Sequence, residues 1–110
     1  MRGINKVILM GIASFPAGPE KYPAAGYLRF DVGVLQKTVD GGEVINTIHC
    51  LASGRLAEVL QEYVVADVTM LYLEGSLRPI GSEWAEMVVG VDTIQILKPG
   101  QQSRIHTEQA

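Results

Sequence analysis

The sequence predicts an all-β domain: a five-stranded Greek-key barrel with one α-helix between the third and fourth strands. Three observations predict it. Short segments rich in branched and aromatic residues recur along the chain, separated by glycine, proline and aspartate. One segment carries helical spacing, with Leu56, Val59, Leu60 and Tyr63 at i, i+3, i+4 and i+7. That segment follows the third strand with only Ser53 and Gly54 between them.

The elements are justified in order. "INKVILMGIA" (Ile4–Ala13) is rich in branched residues and reads as a strand, with Gly11 a bulge or bend. "SFPAGPEKYPAAG" (Ser14–Gly26) holds three prolines and two glycines and reads as a loop. In "YLRFDVGVLQ" (Tyr27–Gln36), Leu28, Phe30, Val32 and Val34 alternate with Arg29, Asp31 and Gly33, the period of a half-buried strand. Asp40-Gly41-Gly42 is a hairpin turn, and "EVINTIHCLAS" (Glu43–Ser53) returns as the partner strand. Ser53 is the expected N-cap of the helix, its hydroxyl reaching a free N–H of the first turn. The helix spans about ten residues, too short to stand alone, so it must pack on the strands. "VTMLYLEGSLRPI" (Val68–Ile80) is the fourth strand, with Gly75 a bulge, "GSEW" is a short connection, and "AEMVVGVDTIQIL" (Ala85–Leu97) is the fifth. Residues 1–98 thus form the barrel domain, and 99–110 form a polar tail expected to be flexible. This is the element order of the OB-fold, in which the helix plugs the open end of a small barrel. Another five-stranded barrel or sandwich with one helix fits the same order.

Composition narrows the function classes. At 110 residues, 47% hydrophobic and 19% charged, the chain is long enough for one domain with one core. Its longest apolar runs are about four residues, far short of the roughly 20 that span a bilayer, so no membrane partner is expected. The basic start "MRGINKVILMG" lacks a small-residue cleavage site, which argues against a signal peptide. One cysteine, Cys50, allows no internal disulfide, and no Cys/His spacing suits zinc, so a cytoplasmic, reducing setting is expected. A net charge of −3 argues mildly against a surface that grips nucleic acid everywhere, though not against a local basic groove.

Four segments carry a family resemblance. "RGINKVILMG" (Arg2–Gly11), "EKYPAAG" (Glu20–Gly26), "SGRLAEVLQEYV" (Ser53–Val64) and "LYLEGSLR" (Leu71–Arg78) resemble, in the right order, motifs of the bacterial single-stranded-DNA-binding proteins of the homotetrameric type. The resemblance spans Arg2 to about Leu97. It implies an OB-fold, a homo-oligomer (tetramer or dimer), and single-stranded DNA laid over the barrels in replication, recombination or repair. It also implies a cytoplasmic, nucleoid-associated protein that meets replication or recombination proteins. The departures concern flat side chains. Gln36 and Lys37 stand where the family usually has a tryptophan, Thr47 or Ile48 where it has another, and Ser53 where it has a phenylalanine before the helix glycine. Asp67 falls where a basic residue is common, and the ending "SRIHTEQA" lacks the family's acidic tail with an apolar tip. Three lost platforms at about 1–3 kcal/mol each would forfeit several kcal/mol of stacking. A diverged or shortened member is implied.

The candidate DNA-binding residues are Lys6, Arg29, Lys37, Arg55 and Arg78 for phosphates, with Trp84 and Tyr22 for bases. Each has a plainer reading. The cations are individually ordinary solvated charges, and Arg55 can pair with Glu58 along the helix. Trp84 can pack on the barrel rim or against a subunit. Tyr22 and Tyr27 flank the proline loop and are read first as cover for the barrel surface. Tyr63 and Tyr72 lie on apolar faces and are assigned to the core with Phe30. His49 and Cys50 are adjacent, but strand neighbours point to opposite faces, so they cannot form a nucleophile–base pair. No phosphate loop or metal-ligand cluster is present in the sequence. The expectation is a non-catalytic protein without cofactor or metal that binds single-stranded DNA without strong sequence preference. The alternative is an interaction module that keeps the barrel with weak or no DNA binding.

Overall fold

The computed structural model describes residues 3–15, 27–79 and 87–97. Its elements are β1 (Val7–Ser14), β2 (Tyr27–Lys37), β3 (Glu43–Ser53), α1 (Gly54–Tyr63), β4 (Met70–Pro79) and β5 (Met87–Leu97). The strands close into a barrel in the order β1-β2-β3-β5-β4, with β1 pairing β4 to complete the ring. All pairings are antiparallel except β3 with β5. This is the expected OB-fold. The tail 99–110, Tyr22 and Trp84 lie outside the described residues.

Alternation dictates the inside. Leu28, Phe30 and Val32 of β2 are fully buried, as are Cys50 and Ala52 of β3 and Leu71 and Leu73 of β4. Together with Ala13, Val89, Ala57 and Leu60 they form one core cluster. Burying a side chain such as Leu60 is worth about 1.5–3 kcal/mol. The Asp40-Gly41 hairpin forms as expected: Gly41 N donates to Thr38 O (3.1 Å) and Thr38 N to Gly42 O (2.9 Å). Asp40 accepts from the Thr38 hydroxyl and the Gly42 N–H, which hold its carboxyl below the usual range.

β1 has to bend, because Val7–Ile12 pair β4 while Ile12–Ser14 pair β2. Gly11 sits at the change-over and is buried. A Cβ there would lie 2.2 Å from the carbonyl oxygen of Gly33, so only glycine lets the two backbones approach. The same contact recurs across the barrel, where a Cβ on Gly75 would lie 2.1 Å from the Gly90 carbonyl oxygen. Gly11 is therefore a close crossing within an unbroken ladder. The bulge expected at Gly75 falls on the partner strand instead: Glu74 pairs Thr93 and Gly75 pairs Val91, leaving Asp92 of β5 as the extra residue.

Four further expectations are corrected. The first strand begins at Val7, and Asn5 supplies its next rung with a side chain: Nδ2 donates to Leu77 O (2.8 Å) and Oδ1 accepts from Leu77 N (2.9 Å). Ser53 stands at the N-cap position, but its hydroxyl makes no capping bond. The chain enters the helix through Gly54 in the left-handed region (φ +58), which leaves Ser53 as the last residue of the β3 ladder. Tyr63 is 60% exposed, because the buried edge of α1 runs through Ala57 and Leu60 to half-buried Val64. At about 100° per residue, Tyr63 falls about a quarter turn from the centre of that edge. Tyr72 alternates with buried Leu71 and Leu73, so it lies on the outer face.

The turn after α1 is tied to β1. Asp67 N donates to Ala13 O (2.8 Å) and Ala13 N to Thr69 O (3.0 Å), with Asp67 itself at φ +66. Among the described residues no helix is long and apolar enough to cross a membrane.

Gly11→Ala should lower the unfolding free energy by about 1–3 kcal/mol through overpacking. Gly3→Ala, where nothing lies within 4 Å of the added carbon, should leave it unchanged. Urea unfolding of the two variants against the parent chain checks this.

Candidate nucleic-acid interface

The odd-numbered residues of β2 face outward, so Tyr27, Arg29, Leu35 and Lys37 share one side of that strand. Register places Ser53 opposite Tyr27 and Leu51 opposite Arg29 on β3. The parallel pairing then sets Gly90 of β5 beside Leu51, and β4 brings Arg78 opposite Val88. The result is an open cleft of about 420 Å³ on the barrel surface, lined by Tyr27, Leu51, Ser53, Arg78, Val88, Gly90, Pro79 and Val91. Leu51, Val88, Val91 and Pro79 are its apolar lining residues. Tyr27 is 44% exposed. The Arg78 side chain runs over Gly90, where an added Cβ would meet its Cδ at 2.7 Å and its Nε at 2.8 Å. Glycine at position 90 thus provides the bed in which the arginine stem lies.

The structure distributes the expected cations unequally. Arg78 belongs to the cleft, and half-buried Arg29, which is engaged in an interaction of its own, is the cross-strand partner of cleft-lining Leu51. Lys37 is on the same side of β2 but at its far end, ten residues and about 33 Å along the strand at about 3.3 Å per residue. Among the described residues neither Lys37 nor Arg78 has an ion-pair partner. Arg55 is two residues from Ser53 and its Nη1 lies 3.6 Å from Glu58 Oε2, the expected helix pair. Lys6 stands on the β1–β4 face, with its Nζ 3.1 Å from Glu74 Oε1.

Sequence reasoning missed Leu51, Ser53 and Gly90 as parts of one site, and weighed Tyr27 for stacking only behind a surface-covering role. For Tyr27 a signal was present, since alternation puts it in line with Arg29 and Lys37. Ser53 and Gly90 carry no such signal, because their roles depend on strand register.

The other polar groups are accounted for by structure. Asp31, 5% exposed, lies opposite His49 on β3, and its Oδ1 is 2.7 Å from His49 Nδ1. Cys50 faces the core, where burial, reinforced by the Asp31 charge, pushes its thiol up to about 12. A thiol so hard to ionise is a poor nucleophile. Among the described residues no group of three or more His, Cys, Asp and Glu side chains could hold a metal ion.

Comparison with solved structures gives the architecture its relatives. The barrel is similar to that of mitochondrial single-stranded-DNA-binding proteins. Against the crystal structure of Rim1 from S. cerevisiae the TM-score is 0.64 at 17% identity, over 88% of this chain and 98% of that one. Against the selenomethionine-labelled crystal of the same protein it is 0.66 at 18% identity, over 87% and 97%. No protein-family model matches the chain, and no curated protein matches it. At this identity the likeness speaks to the fold, and the match over nearly the whole of both chains places the OB-fold beyond the other five-stranded arrangements.

The Lys6–Glu74 pair is extended by Tyr72, whose hydroxyl donates to Glu74 Oε2 (2.9 Å). The Lys6 ammonium and then the Tyr72 hydroxyl hold the Glu74 carboxyl below the usual glutamate range, and the same bond raises Tyr72. A carboxyl depressed in the folded state adds stability above its unfolded pKa and loses it as pH falls through the folded value. Lys6→Met should therefore move the Glu74 titration upward and reduce the stability lost below about pH 4.5, the ordinary glutamate region. Carbon-detected NMR titration of Glu74 and acid unfolding of both proteins read the two effects.

Proposed function

We propose that this chain binds single-stranded DNA without strong sequence preference, along the outer face of the barrel around the Tyr27–Arg78 cleft. The observation that carries the reading is that an exposed aromatic ring and a cation without an ion-pair partner among the described residues line one recess. Non-specific binding of unpaired strands needs those two things, flat faces for bases and positive charge for phosphates. Lys37 and Arg29 continue the charge along the same side of β2. The solved proteins of similar fold are named as single-stranded-DNA-binding proteins, which supports the same role here. In this reading the protein is a diverged member of that family. It acts as a homo-oligomer, tetramer or dimer, that keeps unpaired DNA from re-pairing and presents it to replication, recombination or repair proteins. Trp84 and Tyr22 are carried as further stacking residues.

One observation favours a second reading. The β2–β3 hairpin exposes Leu35 (63%), Ile45 (66%) and Val39 (107%), an apolar strip suited to protein contact. An interaction module with weak or no DNA affinity would use it.

Titration of labelled oligo-dT by fluorescence anisotropy separates the two. Binding should weaken with salt at a log–log slope of about −0.7 per phosphate neutralised, so about −2 for three contacts. Arg78→Ala should raise Kd about tenfold, about 1.4 kcal/mol. A flat trace at micromolar protein in low salt rejects the DNA reading and leaves the interaction module.

A further inference from the structure

We propose that the cleft is a seat for one nucleotide: the Tyr27 ring takes the base, and Arg78, held in place by the absence of a side chain at Gly90, takes the adjoining phosphate. This rests on the DNA-binding reading and assigns the residues that perform it. The cross-strand neighbour of Tyr27 is Ser53, a side chain small enough to leave the ring face uncovered. The recess is lined in part by apolar Leu51, Val88 and Val91, surface that a flat base can cover in place of water. Its volume of about 420 Å³ lies at the small end of the range for small-molecule sites, suited to one nucleotide rather than a stretch. Arg78 completes it from the opposite strand, its stem laid along Gly90 and its charged end exposed at the rim. A planar guanidinium with several fixed donors suits a phosphate better than a lysine would at the same position.

Both halves of the seat can be tested separately. Tyr27→Ala and Tyr27→Phe report on stacking. The probes are oligo-dT and an abasic oligonucleotide of the same length, which keeps the phosphates and lacks bases. The parent chain should bind oligo-dT more tightly than the abasic strand. Tyr27→Ala should weaken oligo-dT at least fivefold while leaving the abasic strand nearly unchanged, and Tyr27→Phe should keep parent affinity for both. Gly90→Ala should weaken both strands to the level of Arg78→Ala, with an unaltered melting temperature, because the three atoms nearest the added methyl all belong to the movable arginine side chain. If the parent chain binds oligo-dT and Tyr27→Ala weakens both probes equally or neither, the seat is wrong while the DNA-binding reading stands. The same holds if Gly90→Ala binds like the parent. If the parent binds neither probe, the DNA-binding reading falls and the seat with it.

Discussion

The barrel depends on two places where backbone meets backbone with no side chain between. At Gly11–Gly33 and at Gly75–Gly90 the gap to the facing carbonyl is too small for any Cβ. The first contact lets β1 leave β4 and pick up β2; the second sits beside the Asp92 bulge, where β4 and β5 change register. Curvature concentrated at glycines and bulges is how a short sheet closes on itself. Closure has a functional consequence. It swings the end of β4 around so that Arg78 stands over β5, next to the Tyr27–Ser53 end of β2 and β3. The site belongs to the ring as a whole: its residues come from four strands that share no local sequence.

Charge is divided between holding the fold and facing solvent. Lys6 is committed to Glu74 and Arg55 to Glu58, both on exposed surfaces where such pairs add little to stability. At the cleft stands Arg78, without an ion-pair partner among the described residues, on a body of net charge −3, while Lys37 lies about 33 Å along β2. Such a field cannot hold a polyanion by long-range attraction at physiological salt, where screening sets in within about 8 Å. In the proposed DNA-binding role, affinity would therefore come from short-range contact, to which one stacked base contributes about 1–3 kcal/mol. In that role the exposed tyrosine matters alongside the arginine.

Element order was legible in the sequence because each signal is local. The alternation in Tyr27–Gln36, the Asp40-Gly41 turn and the helical spacing after Gly54 each declare themselves within a dozen residues, and each is present. Local signals misled where the partner element decides. Tyr63 shares a stripe with Leu60, yet the strands meet the helix a quarter turn away, at Ala57 and Leu60. Tyr72 lies in a run of apolar residues, but its parity with Glu74 places it outside, where its hydroxyl finds that carboxylate. Ser53 has the residue type of a cap, but the left-handed Gly54 that follows turns the helix away from it. The cleft was least legible. No spacing rule connects Tyr27, Ser53, Arg78 and Gly90; only pairing register does, and register is a property of the closed barrel.

The position of Ser53 takes on a different meaning once register is known. Read along the chain, a serine before the helix glycine is simply a missing aromatic. Read across the ladder, it is half of a pair whose other member is Tyr27. Directly opposed residues in an antiparallel pair have Cβ atoms about 4.5–5.5 Å apart. Moving a flat side chain from one member to the other shifts the platform by about one strand spacing and leaves it on the same face, above the same recess. Two large rings at such a pair would compete for one space, whereas a ring beside a hydroxyl leaves the ring open. In the proposed seat the small residue is then what exposes the large one, and stacking surfaces of that kind are counted by cross-strand pairs rather than by positions along the sequence.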